Sequence, residues 1–252
     1  YVLRRKGVLD LFESLQEYKK LDEKKRHREA ALHSLICPMG VDSTTMEFED
    51  HNLWMVDDRL AFFAYFNSDK QMSQFTSLDS KDRPDIAFFY DTCFAWRGEG
   101  DASNTVVLIE FKVPGRNNYN GNDNPVRQIN DYVEKLKKGN LVSARGRFAS
   151  TRLREAAYHC YIIADITPTL ENEIGMLPFV ETPDGEGLFG YIGNGKAYVE
   201  IIPYDKLLRD AKLRQGIFFQ KLGLTDLDQR KGAPPLPPEL VEVLFEETED
   251  EV

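Results

Sequence analysis

The sequence predicts an α/β domain, a mixed central β-sheet flanked by helices. Three observations predict it. Short runs rich in β-branched and aromatic residues, at 85–90, 105–112 and 158–165, have the length and composition of strands. Segments with apolar residues at three- and four-residue steps have the period of helices: 1–36, the stretch between Asn124 and Gly139, and 204–222. The run 105–112 is apolar on both faces until its end, which marks a central, buried strand.

A chain of 252 residues can bury one sizeable core with a small appendage. No apolar run approaches the roughly 20 residues needed to span a membrane. No signal peptide is visible, and the chain opens at Tyr1 rather than Met, which suggests a fragment or the C-terminal part of a longer protein. Cys37, Cys93 and Cys160 are far apart and lack zinc-site spacing, so they read as buried, reduced thiols of a cytoplasmic protein. A net charge of −10 does not advertise nucleic-acid binding. The last 14 residues hold seven acids and no base, however, so the body is close to neutral. Local basic patches can still meet a phosphate backbone, with affinity added by an attached domain or partner.

In chain order, residues 1–40 are a helical segment. Val8, Leu11, Leu15 and Tyr18 give its first apolar stripe, and Cys37-Pro38-Met39-Gly40 ends it. Its middle, 19–29, is dense in mixed charge. Interleaved acids favour a solvated helix face over a DNA-touching arm. The helix is expected to pack on a preceding domain or pair with a second copy as a homodimer. Residues 41–230 form the main domain. Within it, 52–56 reads as a strand, 60–66 as strand or helix, and 67–83 as a polar surface loop. His51 reads as a surface or satisfied core histidine rather than a site group. Arg83 is placed to meet a phosphate or to pair with Asp82 or Asp85. Residues 231–252 are a Pro-rich linker, Gly232 to Pro238, followed by an acidic tail that is mobile or docks on a partner.

The chemistry-bearing residues cluster in the middle. Pro84-Asp85 opens one strand and Glu110-Phe111-Lys112 closes the next, with a turn-rich loop at 96–104 between them. The simplest link is an antiparallel hairpin, which brings Asp85 beside Glu110. Side chains alternate along a strand, so Glu110 and Lys112 share one face and Phe111 takes the other. Two carboxylates repel unless a cation sits between them, and hard oxygen ligands suit Mg²⁺. An adjacent lysine can hold an attacking water or stabilise a pentavalent phosphate. Charged residues also end ordinary strands at a sheet rim; a Glu and Lys at the end of a buried strand are less ordinary.

Asn124 then Pro125 is a helix start, and Gly139 is the matching stop. Val126, Ile129, Val133 and Leu136 form its apolar stripe, with Gln128, Tyr132 and Lys135 on a neighbouring stripe. Beyond it, Arg145, Arg147, Arg152 and Arg154 lie within ten residues with no acid in that window before Glu155. They form the best candidate for a nucleic-acid-binding patch. A buried strand at 158–165 and a short helix over 169–177 follow. The runs 187–192 and 196–202 flank Gly193-Asn194-Gly195, a hairpin signal. A phosphate cradle there lacks the following helix it would need. Leu207, Leu208, Ala211, Ile217, Phe218 and Leu222 are the predicted core face of the last helix.

Asp85, Glu110-x-Lys112 and Gln128-x-x-x-Tyr132, in this order on strand, strand and helix, resemble the PD-(D/E)xK nuclease superfamily. The Gln-x-x-x-Tyr helix resembles its RecB-like branch. The resemblance covers roughly 41–170 and implies a restriction-endonuclease-like sheet. It implies that Asp85, Glu110 and the Phe111 carbonyl bind Mg²⁺ or Mn²⁺, that Lys112 serves the nucleophilic water, and that Gln128 and Tyr132 position site and substrate. The family usually adds an acid from a preceding helix; Glu29, Glu47, Glu49, Asp57 and Asp58 are all candidates. The segments 52–60 and 161–168 are also similar to C-terminal regions of bacterial proteins with an N-terminal Hsp90/histidine-kinase-type ATPase domain, some of which act in phage defence. Together these likenesses imply a Mg²⁺-dependent deoxyribonuclease with DNA as substrate. The alternative is a non-catalytic scaffold or nucleic-acid-binding module serving an attached ATPase.

Overall fold

The computed structural model describes residues 2–17, 25–42, 45, 50–61, 65–90, 105–121, 123–140, 153–175, 177–193 and 197–224. Its strands are β1 (Tyr65–Ser68), β2 (Ile86–Tyr90), β3 (Thr105–Phe111), β4 (Ala157–Ile163), β5 (Phe179–Glu181), β6 (Leu188–Ile192) and β7 (Ala197–Ile202). Its helices are α1 (Val2–Glu17), α2 (Lys25–Ile36), α3 (Met72–Phe75), α4 (Pro125–Leu136), α5 (Pro168–Ile174) and α6 (Tyr204–Lys221). The seven described strands form one sheet in the order β1-β2-β3-β4-β7-β6-β5. β3, β4 and β7 run parallel at its centre, and antiparallel strands extend it on both sides. This is the mixed α/β architecture that the strand and helix patterns predict.

β3 divides the molecule. Every residue in it is buried, and alternate side chains enter different cores. Val106 and Leu108 pack with Ile129, Val133 and Leu136 of α4. Val107, Ile109 and Phe111 pack with Leu9 and Phe12 of α1, Leu32 and Ile36 of α2, and Leu207 and Ala211 of α6. Each fully buried Leu, Ile or Phe contributes about 1.5–3 kcal/mol, so both helical layers are held by apolar burial.

Several local expectations are corrected. The single helix over 1–36 is two, α1 and α2, which pack on the same core and on each other. A continuous helix of that length would run for about 54 Å at 1.5 Å per residue and could not do so. The strand expected at 52–56 is instead a buried 3₁₀ turn, Leu53–Met55. Side chains decide it: Asn52 Nδ2 donates to the Leu35 carbonyl at 2.8 Å, and Arg214 Nη2 donates to the Trp54 and Met55 carbonyls at 3.0 and 2.6 Å. These contacts replace a strand ladder, and tertiary packing overrides β-propensity. Of the run 60–66, residues 60–61 belong to a 3₁₀ turn, Asp58–Ala61, and 65–66 begin β1, while 62–64 lie outside the described residues. The loop expected over 67–83 contains α3, whose Met72 and Phe75 are buried under the sheet.

On α6 the predicted core residues Ile217, Phe218 and Leu222 are exposed, while Lys206, Gln215 and Phe219 are buried. Helical spacing gives an apolar stripe but not which stripe meets the neighbours. β6 and β7 pair antiparallel, as the hairpin signal predicts, and Gly193 leaves β6 at φ +57°, a conformation that favours glycine; 194–196 lie outside the described residues. Gly139 follows α4 for a different reason. A Cβ there would lie 2.7 Å from Leu78 Cγ, so the position requires space.

Among the described residues, no helix is long and apolar enough to cross a membrane. Cys37 and Cys160 are buried and free, and burial raises the Cys37 thiol to about 12. Cys93, the loop at 96–104 and the segment 231–252 lie outside the described residues.

Candidate active site

The site forms where β2 begins and β3 ends. The strands pair antiparallel with Ile86 opposite Ile109, which brings Asp85 beside Glu110. An Asp85 carboxylate oxygen accepts the Phe111 N–H at 2.6 Å, fixing it against the end of β3. Glu110 lies on the α4 side of the sheet with Val106 and Leu108, as alternation dictates. Phe111 turns to the other core and stacks on His33 of α2, with centroids 4.8 Å apart. Its side chain therefore anchors the strand end, and only its backbone is available to a ligand. Burial lowers His33 to about 4, so this ring is neutral at pH 7.

Lys112 is nearly sealed, at 6% exposure, and Glu110 more so, at 2%. Lys112 Nζ donates to Glu110 Oε1 at 2.7 Å and to Gln128 Oε1 at 2.9 Å. Gln128 Nε2 donates to the Tyr132 hydroxyl at 2.8 Å, and that hydroxyl donates to the Arg83 carbonyl at 3.1 Å. One hydrogen-bonded chain thus links the end of β3, α4 and the backbone before β2. Helix α4 makes this possible. The Asn124 side chain accepts from the Val126 and Arg127 amides, Pro125 starts the helix, and the apolar stripe fixes its rotation. Lys135, on the same stripe, pairs with Asp82 at 2.5 Å, and the resulting hydrogen bond is the main cause holding the Asp82 carboxyl below its usual range.

The electrostatics follow from this crowding. Loss of solvation raises Asp85 well above the ordinary carboxyl value, and the adjacent Glu110 charge adds to it; the Phe111 N–H and Lys112 oppose. Burial also raises Glu110, with Lys112 pulling the other way. The charge of Glu29 on α2 acts on both carboxyls in the raising direction. Among the described candidate acids, Glu29, Asp57 and Asp58, Glu29 is thus the one coupled to this pair. Asp57 pairs with Arg59 at 2.5 Å and Asp58 with Arg5 at 3.3 Å, while Glu47 and Glu49 lie outside the described residues. Glu29 also lines a cavity of about 690 Å³ with Val113, Gly115, Arg116, Asn118 and Asp123.

Sequence reasoning missed the supports behind the pair. The Tyr204 hydroxyl donates to the Lys112 carbonyl at 2.7 Å. Asp165 accepts from the Gly115 amide at 2.6 Å and the Tyr204 amide at 3.2 Å. Asp165 ends the predicted strand 158–165, a position a strand-end rule could have flagged; Tyr204 gave no signal of this contact. His51 is buried, in the core position expected, and its Nδ1 accepts the Leu53 amide at 3.4 Å. Arg83 reaches Asp69, at 3.8 Å, rather than Asp82 or Asp85. Arg154 is exposed on the 3₁₀ turn Leu153–Glu155; Arg145, Arg147 and Arg152 lie outside the described residues.

Do these residues fit a divalent cation? Among the described residues, no group of three His, Cys, Asp or Glu side chains is arranged as a ligand set. Glu110 Oε2, however, is buried without a hydrogen-bond partner. An orphaned carboxylate oxygen beside a second, repelling carboxylate is a donor pair that a hard cation would satisfy. The chemistry of these two donors is compatible with a hard divalent cation, which Asp85 and Glu110 would hold.

No protein-family model, curated protein or solved structure matches this chain. The functional reading therefore rests on the residues themselves.

Proposed function

We propose that this chain is a Mg²⁺- or Mn²⁺-dependent nuclease acting on DNA. The observation that carries the reading is the Asp85–Glu110 pair, with its unpartnered Glu110 oxygen, beside an ammonium seated by Gln128. Asp85 and Glu110 would hold the cation. When bound, that ion supplies charge neutralisation at the phosphate and lowers the pKa of a water. Lys112 presents its ammonium toward the same point and orients the nucleophile or offsets charge developing on phosphorus. Water oxygen, giving up a proton to solvent, forms a bond to phosphorus as the opposite P–O ester bond breaks, and the departing oxygen takes a proton from solvent. Gln128 and Tyr132 keep Lys112 in place. Exposed Arg154, with its neighbours Arg145, Arg147 and Arg152, supplies phosphate contacts.

A second reading has one specific observation behind it. Lys112 already occupies one oxygen of Glu110, at 2.7 Å, as a structural ion pair would. On that reading the domain binds DNA without cutting it.

The test is cleavage of supercoiled, linear and single-stranded DNA by the whole chain with Mg²⁺ and with Mn²⁺, beside Glu110→Gln and Lys112→Met. Metal-dependent cutting that falls by about 10²-fold or more in both variants is expected. Equal cutting by all three proteins refutes a catalytic role for the pair. DNA binding with no cutting by folded wild type favours the scaffold.

A further inference from the structure

Helix α6 carries an apolar surface that its own core does not use. Leu213 is 69% exposed, Ile217 66%, Phe218 54% and Leu222 57%. On its outer turns this helix faces solvent with side chains of the kind that fill its inner face. Four of the five bases of α6 already pair, Lys206 and Arg209 with Asp184 and Asp210, Lys212 with Glu13 and Arg214 with Asp58, while Lys221 lies exposed beside Ile217 and Phe218 at helical spacing.

The occupant we propose is a named segment of this chain, Glu239–Glu247. Its apolar residues, Leu240, Val241, Leu244 and Phe245, recur at three- and four-residue steps. Glu239, Glu242, Glu246 and Glu247 stand among them with no base, which complements the exposed Lys221 beside Ile217 and Phe218. The chain length allows it. Fifteen residues separate Leu224, the last described one, from Leu240, a reach of up to about 55 Å. The exposed residues from Leu213 to the C-cap Leu222 span only about 13.5 Å along the axis at 1.5 Å per residue. A tether of this length keeps the segment at an effective concentration near millimolar, which favours its own α6 over that of a second copy. The acidic tail thus covers the outer face of α6 within one chain.

Cross-linking of the full chain tests this. Ile217→Cys is combined with Leu244→Cys, with Cys93→Ser in every variant; Glu171→Cys with Leu244→Cys is the control, since Glu171 is exposed on α5. Mild oxidation should give an intrachain disulfide at least about 10-fold faster in the first pair than in the control. Amides of 240–246 should exchange hydrogen about 10-fold more slowly in wild type than in Ile217→Glu, which changes only an exposed position and should melt as wild type does. A disulfide mainly between chains, growing with protein concentration, overturns the assignment in favour of a second copy. Equal rates in both pairs, or no protection of 240–246, overturn it outright. Neither readout involves DNA or metal, so failure here is distinct from failure of the nuclease reading.

Discussion

Glu110→Gln should destabilise the protein by far more than the change in size implies. It takes from the buried Lys112 ammonium the carboxylate it is hydrogen-bonded to, leaving Asp85 as the nearest acid acting on it. The pair is closed to solvent: the Lys112 and Glu110 side chains are 8% and 3% exposed, with Nζ and Oε1 2.7 Å apart. Deleting one partner of a buried pair costs about 3–5 kcal/mol, and relief of the Asp85–Glu110 repulsion puts the expectation at the low end, about 3 kcal/mol. At about 2–4 °C per kcal/mol for a chain this size, Tm should fall by about 6–12 °C. Lys112→Met removes the other charge while keeping the length of the stem, and should cost less because the stranded carboxyl can take a proton. The double variant should be more stable than the sum of the two losses predicts, since replacing a whole buried pair is often close to neutral. The assay is urea unfolding followed by circular dichroism, in EDTA, for wild type, both single variants and the double. A coupling of about 1 kcal/mol or more is expected; additivity within about 0.5 kcal/mol would refute the reasoning. The cycle also guards the cleavage test, because it shows whether a lost activity is lost chemistry or lost fold.

Asp85→Asn should stabilise the metal-free protein. The folded-state Asp85 carboxyl is raised above its ordinary 3.8, so its stabilising contribution is complete below that value and is lost as pH rises through the raised one. Wild type in EDTA should therefore lose stability from pH 4 toward neutrality more steeply than Asp85→Asn, and Mg²⁺ should restore wild type alone; parallel curves in urea unfolding would count against the site. Asn124→Ala removes acceptors of two amides, at 2.9 and 3.2 Å, and should cost about 1–2 kcal/mol by thermal unfolding. Gly139→Ala places a Cβ 2.7 Å from Leu78 Cγ and should cost about 1–3 kcal/mol, with Leu78→Ala restoring part of the loss in a double-variant melt.

What was legible in the sequence was local. Strand pairing and strand length were readable in 85–90 and 105–112 because hairpins and buried strands leave short-range patterns. Helix α4 was readable because Asn124, Pro125 and two stripes of side chains all lie within one element. Asp85, Glu110, Lys112, Gln128 and Tyr132 come together because those elements are adjacent in the fold. What failed depended on distant partners. The 3₁₀ turn at Leu53–Met55 is held by Arg214, about 160 positions away, which no window reveals. Glu29 sat in a run of mixed charge where nothing distinguished the acid facing the site from acids facing water. On α6, spacing identified apolar stripes, but the position of α1 decided which stripe was covered.

The two-sided burial of β3 bears on how this chain can vary. Because alternate residues of Thr105–Phe111 enter different cores, a one-residue deletion within 105–109 would invert every side chain after it. Glu110 and Lys112 would then turn into the apolar layer of α1, α2 and α6, and Ile109 and Phe111 would turn toward α4. Substitutions in this strand act one position at a time, whereas a shift of phase exchanges the two sides at once. Length change within this segment should thus be far less tolerated than change of residue, and variation in chain length is expected to fall outside the strand.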